Sequence, residues 1–314
     1  MKKIVCLALT LMLALCAVIP ALAESRVAPE DRKETVTELD GGKESHFRNY
    51  APKFWEAPCD KPGTIEKLEY TTSVYGDTLN QWANVYVPYG YDASKQYNIL
   101  YFFHGTNETQ DSFIGDETVK NAIDNMIDMG ICEPFIMVCP TYYYNYEERA
   151  TNHAVFVDEV RNDLMPAAET KYSTYAETAD DAGFAASRDH RAFSGYSQGS
   201  MVCWQVTYRC MDYAKWFVPM SLSSVNNLEP MKKAMEAAGE NGKDVFFYIC
   251  TGGKRDLAYE GTVALANAMI ADEAFSYGTN PAENNFYAAI SKEIHQTLKG
   301  RFNLYNAFLD GLFK

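Results

Sequence analysis

Ser197 stands at the centre of Gly195-Tyr196-Ser197-Gln198-Gly199, a hydroxyl with a small residue two places before it and another two places after. That spacing suits a strand turning sharply into a helix, with the serine at a strained backbone position and its Oγ projecting outward. A serine hydroxyl is a weak nucleophile at neutral pH, so acyl transfer through it needs a base and an acid that orients the base. The flanks fit this geometry: His190-Arg191-Ala192-Phe193 reads as a strand leading in, and Met201, Val202, Val206 and Cys210 recur at helical spacing behind the serine. The plainer alternative is a glycine-containing loop with a solvated serine.

In sheets that carry such an elbow, the acid and then the histidine follow the serine along the chain. Of the five histidines, His46, His104, His153 and His190 precede Ser197, which leaves His295 as the candidate base. For the acid, the apolar run 245–250 reads as a strand, 251–255 as the turn after it, and Asp256 as the first carboxylate beyond. Glu260 is the reserve choice, and Asp272 and Glu273 fall along the next helix on a solvated face. An oxyanion needs two backbone donors. The amide of Gln198 supplies one by position, and that of Thr106, in the His104-Gly105-Thr106 loop after the first buried strand, supplies the other. His104 braces that loop. Tyr142, Tyr143 and Tyr144, with Tyr146, follow a strand on the same end of the sheet and offer flat faces and hydroxyls to a sugar or phenolic ring, or else pack a long loop. Thr251-Gly252-Gly253-Lys254 lacks the spacing of a phosphate loop, and neither C-x-x-C nor H-x-x-x-H spacing appears, so the sequence offers no metal site.

The elements that position these residues alternate. Residues 65–75 and 81–88 form an antiparallel hairpin around Gly76-Asp77, and 97–103 is a near-continuous apolar strand ending at His104. Helix 117–129 precedes strand 134–140, and helix 155–172 precedes the elbow strand. Strands at 216–222, 244–250 and 284–290 follow, with helices at 230–238, 257–274 and 302–313. The expectation is an α/β fold: one mostly parallel, doubly wound sheet with an antiparallel N-terminal edge hairpin and helices on both faces. The segment 178–188, acidic and rich in small residues, reads as a solvated insertion.

A chain of 314 residues, nearly half hydrophobic, fills a large core, and a net charge of −14 disfavours nucleic acid and anionic membrane surfaces as partners. Residues 1–23 read as a secretory signal: Lys2 and Lys3, an apolar run, then Ala21-Leu22-Ala23. The expected location is therefore secreted or periplasmic, without stable membrane association after cleavage. Residues 24–61 read as an extended arm wrapping onto a catalytic domain at 62–314. The spacings of Cys59, Cys132, Cys139, Cys203, Cys210 and Cys250 follow no disulfide framework, and buried free thiols are expected.

From about Leu68 onward the chain resembles the feruloyl and acetyl xylan esterases of the esterase D-like α/β-hydrolases, the first family of carbohydrate esterases. The resemblance rests on the strand ending in His104-Gly105, on Asp163-Leu164-Met165-Pro166 and Lys171-Tyr172-Ser173, on Arg188-Asp189-His190-Arg191-Ala192, and on Leu304-Tyr305-Asn306. The family's serine, acid and histidine fall on Ser197, Asp256 and His295. Two features depart from the family pattern: Gln198 and Ser200 replace a methionine and a glycine of the elbow, and Ile294 replaces the glycine before the histidine. The resemblance implies an exported serine esterase that removes ferulate or acetate from plant cell-wall xylan through an acyl-enzyme, with an acylated xylan or oligosaccharide as substrate and no cofactor. Competing readings are a general carboxylesterase, a peptidase, an acyltransferase of the same fold, or a carbohydrate-binding protein without chemistry.

Overall fold

A computed structural model describes residues 34–49, 51–52 and 54–314; the signal read over residues 1–23 lies outside them. In chain order the strands and helices are β1 (Glu34–Glu38), β2 (Glu44–Arg48), β3 (Thr64–Thr72), β4 (Leu79–Val87), β5 (Asn98–Phe103), α1 (Glu117–Asp128), β6 (Phe135–Pro140), β7 (Tyr143–Asn145) and β8 (Ala150–Thr151). Then come α2 (His153–Glu159), α3 (Met165–Lys171), α4 (Asp181–Ala186), β9 (Arg191–Tyr196), α5 (Gln198–Thr207), β10 (Trp216–Met220), α6 (Leu228–Ala238), α7 (Glu240–Lys243), β11 (Phe246–Thr251), α8 (Tyr259–Ile270), β12 (Phe286–Ile290) and α9 (Gly300–Leu309).

Eight strands form one sheet in the order β12-β11-β10-β9-β5-β6-β4-β3. Neighbours from β12 to β6 run parallel, while β4 is antiparallel to both β6 and β3. Parallel strands need crossovers, and the intervening helices cover both faces. Side chains alternate across β5 accordingly. Ile99, Tyr101 and Phe103 join the core under α2, α3 and α5, whereas Leu100 and Phe102 join the core under α1 and α9. The ends of β5, β6, β9, β10, β11 and β12 therefore open onto a single edge of the sheet. That edge carries every candidate site residue.

Local sequence explains the starts of α1, α2 and α4, each capped by an Asp or Asn side chain. The Asp116 carboxylate accepts the amides of Thr118 and Val119 and caps α1. The helix expected over 155–172 is instead α2 and α3 joined by a five-residue π turn, Val160–Leu164. Pro166 follows that turn without an amide to donate, so the chain continues by way of the wider Met165 N to Val160 O bond.

Two segments differ from the sequence expectation. The stretch 178–188 is not a solvated loop: α4 runs through it, capped by Asp180, with Phe184 and Arg188 buried. Its burial depends on distant partners, because Arg191 donates to the Phe184 carbonyl and Arg188 to the Met211 and Ala214 carbonyls. Within the arm, residues 34–48 form the β1–β2 hairpin against β12, where the Ile290 amide donates to Ser45 Oγ. The described cysteines 59, 132, 139, 203, 210 and 250 are free thiols, all but Cys59 buried. Among the described residues no helix is long and apolar enough to cross a membrane.

Candidate active site

Ser197 joins β9 to α5 at φ 56° and ψ −118°, a region costly for any residue with a Cβ. Packing holds it there. A Cβ on Gly195 would meet Gly199 O at 2.2 Å, and one on Gly199 would meet Phe103 O at 2.1 Å and His104 O at 2.5 Å. Neither glycine can carry a side chain, because the obstructing atoms are backbone. Gly199→Ala is therefore expected to destabilise the protein by at least about 3 kcal/mol, read as a fall in melting temperature or as insoluble protein.

The structure brings Ser197, His295 and Asp256 together across 98 and 39 residues of chain. His295 Nε2 lies 2.9 Å from Ser197 Oγ, and His295 Nδ1 lies 2.8 Å from Asp256 Oδ1. The carboxylate can only accept, which places the imidazole proton on Nδ1 and leaves Nε2 to accept the serine proton. Asp256 is buried, and it also accepts from Ala258 N at 2.8 Å, Ser221 Oγ at 2.9 Å and Gly252 N at 3.0 Å. Burial pushes its carboxyl upward, but the bonds from His295, Ala258 and Ser221 outweigh this and hold it below the ordinary aspartate value. The His295 ring packs beside Tyr196, whose hydroxyl accepts the Gln296 amide at 2.7 Å.

Gln198 begins α5, where the first amides of a helix have no intrahelical acceptor. Thr106 is exposed beyond β5 in a tightly pinned loop. The Gly105 amide donates to Glu108 Oε2 at 2.7 Å, while the Gly105 carbonyl accepts from His104 Nδ1 at 2.8 Å and Tyr142 OH at 3.0 Å. His104 Nε2 faces Thr141 Oγ1 at 2.9 Å and accepts from it.

Burial lowers the His104 pKa to about 4, a shift partly opposed by its bond to Gly105 O. The unfolded state thus takes up this proton first as pH falls, so the neutral ring's contribution is present above about pH 6.5 and lost towards pH 4. Relative to His104→Gln, the wild-type advantage in unfolding free energy is expected to shrink by about 3 kcal/mol between pH 7 and pH 4.

The tyrosine run needs correcting. Tyr142 and Tyr143 are 1% and 3% exposed, so their rings have no open face for a sugar or phenol. They brace the loop instead: Tyr142 OH donates to the Gly105 carbonyl, and Tyr143 OH accepts the Asn107 amide at 3.1 Å. Tyr144 alone of the three reaches the surface. Sequence reasoning also missed Ser221, Glu108 and His153. His153 Nε2 accepts from Gln198 Nε2 at 3.3 Å, and nothing in the local pattern of these residues marks such long-range contacts. The clefts of about 730 and 660 Å³ at α6–α7 and beside α9 contain none of the site residues; Ser197, Gln198 and His295 are half-buried.

No protein-family profile matches the sequence. Among curated proteins, endo-1,4-beta-xylanase Y of Acetivibrio thermocellus is 36% identical over 247 residues, covering 77% of this chain and 22% of the relative. An endo-1,4-beta-xylanase/feruloyl esterase of Xylanibacter ruminicola is 27% identical over 47% of this chain and 20% of the relative. The chain thus spans about a fifth of the length of these curated relatives. Among solved structures, one described as FAE is 33% identical with a TM-score of 0.76, covering 84% of this chain and 92% of that one. The feruloyl esterase module from Clostridium thermocellum, a serine-to-alanine mutant complexed with sinapinate, is 31% identical with a TM-score of 0.75 over 90% and 96%. With this likeness over almost the full length of both structures, and with Ser197, His295 and Asp256 within hydrogen-bond reach, the chain belongs to the CE1 feruloyl esterases, carboxylic ester hydrolases of the α/β-hydrolase fold.

Proposed function

We propose that this chain is an exported esterase that releases ferulate from xylan through an acyl-enzyme on Ser197. The observation that carries the reading is the hydrogen-bonded line from Asp256 through His295 to Ser197 Oγ, at 2.8 and 2.9 Å, in a chain of this family. His295 Nε2 takes the serine proton as Oγ attacks the ester carbonyl. The amides of Gln198 and Thr106 receive the negative charge that develops on the carbonyl oxygen. His295 then returns the proton to the departing sugar oxygen, and a water molecule repeats the sequence to free the acid. Asp256 keeps the proton on Nδ1 and stabilises the imidazolium that forms.

Ferulate is favoured over acetate by the surface beside the triad. Leu257, 70% exposed, follows Asp256; Ile294 and Leu298 flank His295; Met201 lies one helical turn beyond Ser197; all are exposed. Each of these exposed apolar side chains is a close sequence neighbour of a triad residue, and a phenylpropenoyl group can cover more of them than an acetyl group can. Ser197 and His295 are both partly exposed, so an ester hanging from a polymer can reach them. The signal read over residues 1–23 supports a location outside the cytoplasm, where such a substrate is found.

The test is hydrolysis of methyl ferulate beside a simple aryl acetate by the purified chain. Ferulate release with the higher kcat/KM supports the reading. Acetate release without ferulate release would replace it with an acetyl esterase, and inactivity on both would remove the hydrolase assignment.

A further inference from the structure

The loop between β6 and α2 carries the β7–β8 hairpin, and both of its ends are tied to the two backbone donors invoked above. At the leading end, Tyr142 OH donates to Gly105 O and Tyr143 OH accepts the Asn107 amide, fixing the residues on either side of Thr106. At the trailing end, Arg149 Nη1 donates to Asn107 Oδ1 at 2.6 Å, and His153 touches the Gln198 side chain at 3.3 Å. Asn107 and Arg149 both sit at positive φ, 64° and 51°, so this junction is held in a conformation that neither residue prefers. A hairpin secured this way to the reacting centre presents its outer surface at a fixed place beside the scissile bond.

That outer surface is aromatic and polar. Tyr144 is 38% exposed and stacks on Tyr75 at 4.8 Å and 26°, which fixes its ring with one face covered; Tyr146 is 52% exposed. The exposed apolar residues beside Asp256 and His295, by contrast, are aliphatic: Leu257, Ile294 and Leu298, set among the exposed Arg255, Lys292 and Gln296. The substrate has two halves of matching character. A phenylpropenoyl group suits the aliphatic side, while sugar rings, with C–H faces bordered by hydroxyls, suit tyrosines backed by Asn and Arg side chains. Pre-set rings lose little rotamer freedom on binding.

Resting on the esterase reading above, we infer that the β7–β8 hairpin is the glycan subsite of this enzyme, with Tyr144 and Tyr146 carrying the sugar chain next to the ester. The test compares kcat/KM for a feruloylated xylo-oligosaccharide with that for methyl ferulate, in the wild type, Tyr146→Ala, Tyr144→Phe and the double variant Tyr144→Ala/Tyr146→Ala. The ratio of oligosaccharide ester to methyl ester is expected to fall roughly tenfold in the double variant, mainly through KM, and by a smaller factor in Tyr146→Ala. Tyr144→Phe keeps the stacked ring and retains most of the ratio. A ratio within twofold of wild type in both alanine variants overturns the subsite while leaving the esterase reading intact. A wild type inactive on both esters overturns the two together.

Discussion

Ser197→Ala is expected to lower kcat/KM for methyl ferulate by roughly 10⁴ to 10⁶-fold while moving the melting temperature by no more than about 2 °C. The large kinetic effect follows because no other hydroxyl stands within reach of His295 Nε2 in the described hydrogen bonds. The small stability effect follows from geometry. The strained φ of 56° is shared by alanine, the Ser197 amide keeps its bond to Met220 O at 2.9 Å, and the lost hydroxyl is only half-buried. Steady-state kinetics beside a thermal melt measures both. A variant retaining more than about a hundredth of the wild-type rate would mean that Ser197 is not the nucleophile.

Asp256→Asn should cost roughly 10⁴-fold in kcat with little change in shape. Asp256 Oδ2 accepts from Ser221 and Gly252, and Oδ1 accepts from Ala258 and His295, so all four neighbours are donors. A carboxamide has one oxygen and one NH₂, and whichever way it turns, two donors face its nitrogen. With NH₂ towards His295, the ring is driven to the tautomer with its proton on Nε2, which cannot accept from Ser197. The carboxyl's lowered pKa sets the pH signature. Its stabilising contribution is fully present above the ordinary aspartate value, near 3.9, and is lost as pH falls through the lower folded value. The stability gap between wild type and Asp256→Asn should therefore narrow in acid, as denaturant titrations at pH 7 and pH 3 would show. A gap that widens in acid would contradict the hydrogen-bonding account.

Both effects depend on contacts that the chain makes far from where its sequence announces them. Ser197 is legible because an elbow is a local object: two glycines, a strand before and a helix after. Asp256 and His295 were reached by chain order and strand ends, which topology constrains. Their support was not legible. Ser221 meets Asp256 across 35 residues and His153 meets Gln198 across 45, and no periodicity links them.

The tyrosine run shows the same boundary from the other side. Tyr142, Tyr143 and Tyr144 are identical in type and consecutive, yet two lie buried under the loop that holds Gly105 and one faces solvent. Residue type gives a tyrosine's two possible uses; the path of the loop decides between them. Likewise, the acidic composition of 178–188 concealed α4, because the buried Arg191, against which Phe184 settles, is supplied by the neighbouring strand.

By itself the sequence determined the alternation of strands and helices, the parallel sheet, and the serine, acid and histidine in their order, since local periodicity and topology encode these. Only the tertiary structure decided which polar groups are buried, which donors surround Asp256, and which tyrosines remain exposed. Burial and hydrogen-bond partnership arise from packing between segments tens of residues apart, and no short window of sequence contains both partners.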